Sequence, residues 1–510
     1  MVAIMLVLRV VTGAPSLPEL IQDQVLALIP GPAFSFVLDR LQFAAKPLLL
    51  VGLALLPVPM GAGLGLVYGR AWPRQGWFGR PSPGGGIAYG VLLWVILALT
   101  VAVSTEGVNE PVASAGSLLA SSEVFGFSLV GFARLLQLAT PRSAVDRGRR
   151  AVILGGLTGG ALVLATGGLA RILAFNTERA SVEAALPESE NGASEPDPTA
   201  EAPADASADR MAVVIPPGVA DEITPNERFY VVSKNFNDPR VLANNWSLHV
   251  SGLVDQPPQF SYDEILTLPT ESQYTTLECI SNTLGGKLMS NAYWTGVPLS
   301  RLLANVGTQP DAQAVVIRSA DNYYESFPLD QVLAPGVLLA HTMNGAPLPD
   351  KHGFPLRLIL PGPYGMKNPK WIVKIEVVAE RIDGYWVRRG WDREAPVQTV
   401  ARIDTPTDQA AVAGPRLEVG GVAFASDRGV RRVQASLDAG ATWREARTRP
   451  PLGSSTWVQW AAEWENLSPR TYTVLARAGD GTGAFQTSDE HDSLPRGATG
   501  YHHIMFEVRA

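Results

Sequence analysis

Tyr274-Thr-Thr-Leu-Glu-Cys279-Ile-Ser-Asn282 holds the only cysteine in 510 residues. The alternation leading to Cys279 marks a strand, and Gly285-Gly286 supplies a turn just beyond it. A strand end that opens into a loop is a common place for a functional site. One thiol excludes an internal disulfide framework, and it excludes zinc or iron–sulfur centres built from several thiolates. Cys279 is therefore a small buried hydrophobe, a reactive thiol or a metal ligand.

Further along, His352-Gly-Phe-Pro-Leu-Arg357-Leu-Ile-Leu-Pro361-Gly-Pro-Tyr364-Gly365-Met-Lys367-Asn-Pro-Lys370-Trp371 combines an apolar strand with four cationic or imidazole side chains. Gly362 and Gly365 allow close backbone approach, and Arg357, Lys367 and Lys370 can donate charge-assisted bonds to a phosphate. Without further context, the same residues read as solvated cations beside a strand.

The chain carries 41 Lys+Arg against 48 Asp+Glu, a formal charge of −7. That balance lacks the basic excess of a phosphate-backbone binder, so no nucleic-acid partner is expected. All six histidines lie beyond residue 240 and there is no Cys-x-x-Cys-His, so no haem is expected in this chain.

Residues 1–172 read as an α-helical membrane region. Apolar runs at 47–69, 87–104, 124–139 and 151–170 are each close to the length that crosses a hydrocarbon core, giving about four spans. Arg70, Arg74 and Arg80 follow the first run, and Arg142, Arg147, Arg149 and Arg150 follow the third. These loops are expected on the cytoplasmic side, and everything after the fourth run outside it. The reading is a multi-pass protein of a bacterial cytoplasmic membrane. Arg149-Arg150 also resembles an internal twin-arginine signal, beside its ordinary reading as positive-inside charge. Residues 173–214, rich in Glu, Asp, Ala, Ser and Pro, read as an acidic disordered linker.

Two soluble units follow, at 215–396 and 397–510. Trp246-Ser-Leu-His-Val-Ser-Gly252 alternates as a strand in the first. In the second, Leu417–Val419, Val422–Phe424, Val433–Leu437 and Tyr472–Leu475 read as short strands separated by Gly-rich or Asp-rich turns, a β-sandwich pattern. Asp438-Ala-Gly440 supplies a tight turn, and Trp443, Trp457, Trp460 and Trp464 are expected mostly in its core.

The segments around Cys279 and Arg357–Lys370, with Pro225–Tyr230, Tyr293-Trp294-Thr-Gly296-Val-Pro298 and His341-Thr-Met-Asn344-Gly345, resemble the sulfite-oxidase family of molybdenum-pterin enzymes in order and spacing. Ser436-Leu-Asp438-Ala-Gly440-Ala-Thr-Trp443 resembles the immunoglobulin-like domain that follows the cofactor domain in that family. The resemblance covers about 290 residues, and the front third is similar to membrane-bound bacterial members. It implies an α+β molybdopterin-binding domain over 215–396, and an immunoglobulin-like β-sandwich over 397–510.

The resemblance implies Cys279 as thiolate ligand to a molybdenum that carries one pterin. A soft thiolate suits that metal. It implies Tyr230 and Val231 along the pterin, Ser319 bonded to it, and His352, Arg357, Asn368 and Lys370 at its polar rim and phosphate, with Lys367 a further member. The activity implied is oxygen-atom transfer on a small-molecule substrate, the cofactor supplying the chemistry. Electrons would pass to or from a separate partner, a cytochrome or a quinone-linked protein. A homodimer through the C-terminal domain is a further expectation.

Departures from the family pattern bear on the substrate. Cys279 is followed by Ile280-Ser281-Asn282-Thr283 where sulfite oxidases carry an arginine, Val232 replaces an expected arginine, and Trp391 follows Arg388-Arg389-Gly390 where a tyrosine is expected. Sulfite oxidation and the reduction of S-oxides or N-oxides such as methionine sulfoxide both stay open. A non-enzymatic, membrane-anchored binding protein is the alternative from another class.

Overall fold

The computed structural model describes residues 213–235 and 238–509. The apolar runs, the Arg149-Arg150 motif and the acidic linker expected from the sequence lie outside these residues. Among the described residues, no helix is long and apolar enough to cross a membrane.

The Cys279 strand runs over Glu271–Glu278 and pairs antiparallel with Met289–Pro298, which in turn pairs with Leu338–Met343. Arg357–Ile359 adds to the far side of Leu338–Met343. Leu277, Ala292, Trp294, Leu338, Ala340 and Ile359 bury one core of this sheet, with Phe229 packed edge-on to Trp294. A second sheet orders Gln259–Ser261, Ser247–Gly252, Ile372–Val378, Ala314–Ser319 and Tyr324–Pro328. Only the Ser247–Gly252 and Ile372–Val378 pair is parallel.

Three short helices, Tyr262–Thr267, Leu299–Val306 and Leu329–Leu333, supplement the two sheets. In Leu299–Val306, Leu299, Leu302, Leu303 and Val306 fall on one buried face, as a 3.6-residue period requires. Tyr262–Thr267 starts in a capping box, Ser261 accepting from the Glu264 N–H while the Glu264 carboxylate accepts from the Ser261 N–H.

Residues from 400 onward build two further sheets. One orders Val400–Thr405, Leu417–Phe424, Val458–Trp464 and Arg447–Thr448; the other orders Ala410–Ala413, His502–Arg509, Thr471–Asp480, Val430–Ser436 and Arg444–Glu445. Both contribute to one core containing Val419, Val433, Trp460, Val474, Ile504 and Phe506, so they face each other as a sandwich. Trp457 and Trp460 are buried and Trp464 packs half-buried on the core that holds Trp460, whereas Trp443 is half-buried outside it, edge-on to Tyr501 with the Arg477 guanidinium over its ring.

The sequence divides 417–424 into two strands around Gly420-Gly421, but the structure forms one strand. Both glycines pair on both sides, with a register shift opposite at Ile403/Thr405. A Cβ on Gly421 would collide with the Arg402 carbonyl. These glycines permit a bulged close approach and not a turn.

The sandwich also packs against the sheets before it. Ile280, Met289, Tyr364, Val422, Phe424 and Trp457 share a core. The segment from 213 runs along this junction, where Trp457 Nε1 donates to the Glu222 carbonyl at 3.0 Å and Gln459 Nε2 to the Ala220 carbonyl at 2.7 Å.

Candidate functional site

Cys279 stands directly after its strand, at the head of a loop tied to itself. Its N–H donates to the Leu288 carbonyl and its own carbonyl accepts from the Asn282 N–H, both at 2.9 Å. Asn282 closes the loop further, Nδ2 donating to Glu278 Oε1 at 2.8 Å and Oδ1 accepting from the Leu288 N–H at 3.0 Å. The sulfur lies 3.1 Å from Ser281 Oγ and is largely buried. Burial pushes the Cys279 thiol pKa up, and the bonds from Ser281 work against that shift.

Glu278, fully buried next door, is raised to about 7 by loss of solvent, with the Asn282 bond and the Arg402 charge opposing.

Cys279 opens into a cleft with about 920 Å³ of empty space, part of it open to solvent. Seven of the nine residues singled out in the sequence line it: Tyr230, Val231, Cys279, His352, Arg357, Asn368 and Lys370.

Arg357 is the most informative of them. Its guanidinium lies over the Trp294 ring at 4.8 Å and donates from Nη1 to the His352 carbonyl at 3.0 Å, while its buried Nε has no partner among the described residues. Desolvation lowers its pKa to about 10, which leaves it cationic at neutral pH.

His352 Nε2 lies 2.9 Å from the Asn226 carbonyl, which can only accept, so the proton sits on Nε2. Burial, against that bond, drives its pKa to about 4, and the ring is neutral. Lys370 Nζ donates to the Lys351 carbonyl at 3.0 Å and lies over the Trp371 ring. Gly353 lets these basic groups crowd together, since a Cβ there would meet Lys370 Cβ at 3.0 Å and Arg357 Cβ at 3.2 Å. Tyr230 is pushed well above the usual phenol range by burial and then by the Cys279 charge.

Two expected residues are placed elsewhere. Lys367 is buried in an ion pair with Glu325 at 3.0 Å. Ser319 ends its strand at the base of a tight turn, with its buried Oγ unpartnered among the described residues and its N–H donating to the Tyr323 carbonyl. That turn delivers Asp321 and Tyr323 to the cleft instead. Asn368 lines the cleft, but its side chain is spent on the backbone, accepting from the Leu360 N–H at 2.7 Å.

Sequence reasoning missed Asp321, Tyr323, Lys351, Met366 and Trp386 as cleft residues. The aromatic pair Tyr323-Tyr324, four residues past Ser319, was the available signal.

A mostly β fold brings a buried cysteine into one cleft with a buried arginine whose Nε has no partner among the described residues, an arrangement suited to an anionic ligand. Residues 235–386 match the model of the oxidoreductase molybdopterin binding domain. Over 325 residues the chain is 30% identical to the sulfite oxidase of Arabidopsis thaliana, 51% of this chain and 81% of that protein. It is 31% identical over 278 residues to mitochondrial sulfite oxidase of Mus musculus, 45% of this chain and 50% of the other. The chain thus spans about half the length of the mammalian sulfite oxidases it matches.

It is 35% identical over 151 residues to a putative protein-methionine-sulfoxide reductase subunit, YedZ1, of Azospira oryzae, 29% of this chain and 55% of that protein. The crystal structure of the sulfane dehydrogenase SoxCD from Paracoccus pantotrophus shares the fold, with a TM-score of 0.51 at 21% identity, over 65% of this chain and 99% of that one. The chain belongs to the sulfite-oxidase family of molybdopterin-dependent oxidoreductases.

Proposed function

We propose that the protein is a membrane-anchored molybdenum-pterin oxidoreductase acting on the extracytoplasmic side of a bacterial cytoplasmic membrane, with electrons exchanged with a separate redox partner. The observation that carries the catalytic reading is the meeting in one cleft of Cys279 with a buried Arg357 whose Nε has no partner among the described residues. The membrane anchor, its sidedness and pairing of two copies through an immunoglobulin-like C-terminal domain rest on the sequence.

In this reading Cys279 holds the metal and Arg357 and Lys370 hold the pterin phosphate. His352 and the Tyr230–Val231 backbone line the ring system. Arg357 fits the role because a phosphate would supply the anion that its desolvated guanidinium lacks. His352 fits because its neutral Nδ1 remains an acceptor once Nε2–H is spent on Asn226. Among the described residues no group of three or more His, Cys, Asp or Glu could hold a metal, so the other donors would come from the cofactor. When bound, that group supplies two-electron oxygen-atom transfer.

The protein's own contribution is to orient and to exclude water. Phe229, Ile280, Trp386 and Trp391 give the cleft an apolar wall, and Tyr323 is held against it by donating to the Met366 carbonyl at 2.5 Å. Asp321 and Val232 stand in the lining too, the second where an arginine is expected. This wall favours a neutral S-oxide over the sulfite dianion, and the similarity to the Azospira oryzae protein agrees with it. Sulfite oxidation is the second reading, supported by Lys234 and Lys351 in the same lining.

Metal analysis of the purified protein tests the cofactor assignment, with one molybdenum per chain expected and a folded, metal-free product overturning it. Assays with methionine sulfoxide and a reduced dye, against sulfite and an oxidised dye, separate the two substrates.

A further inference from the structure

The loop after Cys279 is fastened from outside at Gly285 and Gly286, and both fastenings come from the C-terminal sandwich. Arg402 Nη1 donates to the Gly286 carbonyl at 3.2 Å. Asp404 aims that guanidinium through bonds of 2.6 Å to Nε and 3.3 Å to Nη2, and Asp404 is in turn held by the Ala220 N–H at 3.0 Å. Arg402 and Asp404 are both close to fully buried.

The residue between them fixes the second contact. The Ile403 N–H donates to His502 Nδ1 at 3.0 Å, which makes Nδ1 the acceptor and turns the other edge of the ring toward Gly285. A Cβ on Gly285 would strike His502 Nε2, and Gly285 has φ +70°, so this position is shaped to the imidazole. Of three consecutive residues on one strand, Arg402 thus meets the cysteine loop directly, while Asp404 and Ile403 act on it through Arg402 and His502.

We propose that Arg402 and His502 are positioning residues that set the place of Cys279 from the sandwich, giving that unit a part in building the metal site. The chain of contact is short: Arg402 to Gly286, through a turn closed by the Gly286 N–H on the Thr283 carbonyl, to Asn282, which bonds the Cys279 carbonyl. Breaking it frees the loop at one end without removing any group that lines the cleft.

The inference assumes that Cys279 is the working atom of the site, but the loop can be read without the metal. Because the chain has one cysteine, maleimide labelling of full-length protein made without cofactor reports Cys279 alone. Arg402→Met is expected to label at least tenfold faster than the parent. Tyr472→Leu, which loosens the sandwich core away from this loop, serves as a control chosen at a temperature giving equal melting loss. It is expected to label within twofold of the parent.

Equal acceleration by both variants would mean general loosening, and would overturn the proposal. So would parent-like labelling of Arg402→Met. If Arg402→Met does not fold, Gly285→Ala disturbs the neighbouring His502 contact from the loop side and is judged by the same rates. A wrong metal assignment would leave these rates unchanged while molybdenum was absent from the parent, so the two failures are distinguishable.

Discussion

Glu325 and Lys367 face each other at 3.0 Å with side chains 1% and 2% exposed, so a lysine flanked by cleft-lining residues is itself committed to a carboxylate. Burial raises the Glu325 pKa and lowers that of Lys367, and each charge supports the other. Removing one partner leaves the other unpaired, at a cost of about 3–5 kcal/mol. Lys367→Met is expected to lose stability on that scale, and Lys367→Met with Glu325→Leu to recover most of it. Urea unfolding of the cofactor-free protein measures both, and a single variant within about 1 kcal/mol of the parent would show that the pair is not desolvated.

Arg357 should behave in the opposite way. Its buried Nε has no partner among the described residues, so Arg357→Met is expected to leave the cofactor-free protein as stable as the parent or more so, by up to about 2 kcal/mol. The same variant is expected to retain less than a tenth of the parent's pterin after gel filtration. Undiminished pterin in Arg357→Met would remove Arg357 from the phosphate site.

The acid limb of stability is expected to report His502. Burial, then the Arg402 and His503 charges, hold its pKa near 4, with Asp404 and Asp408 opposing. Between pH 4 and about 6.5 the unfolded chain binds the proton and the folded one does not, so stability falls as pH drops through that window and is constant above it. The loss reaches about 3 kcal/mol at pH 4 for this one group. His352, also near 4, adds a similar limb. Glu278, raised to about 7, works in the opposite direction over the same range. His502→Gln is expected to lessen the loss between pH 7.5 and 4.5 by about 2.5 kcal/mol relative to the parent, read by urea unfolding at the two pH values. An unchanged slope would mean that His502 titrates normally.

Val232 offers the substrate test. It is 42% exposed in the cleft lining. Val232→Arg places a cation there, and is expected to raise kcat/KM for sulfite relative to methionine sulfoxide by about tenfold, worth 1.4 kcal/mol. No change in that ratio would move anion selection elsewhere in the cleft.

What could be read in advance follows the range of the interactions. Cys279 at a strand end and the basic segment from His352 to Lys370 are local patterns, and the structure brings most of them to one cleft. Lys367 was legible as a cation but not as Glu325's partner, because that pairing joins a strand and a loop 42 positions apart. Asp321 and Tyr323 enter the cleft on a turn whose direction only the assembled sheet sets. Gly420-Gly421 reads as punctuation in the sequence, since what demands small residues there comes from other strands and segments: the Arg402 carbonyl against Gly421, and Pro216 and Val219, about 200 positions away, against Gly420. Arg402 and His502 carried no signal at all, as their partners lie 116 and 99 residues away.

The segment at 213–224 has a consequence for how the protein is made. Its carbonyls at Ala220 and Glu222 wait for Gln459 and Trp457, which leave the ribosome 239 and 235 residues later. Translation at about 5–20 residues per second makes that a delay of tens of seconds at the slower rates, during which the earlier sheets exist without their seam. A truncated or stalled product would keep the cleft residues yet lack the closing strands.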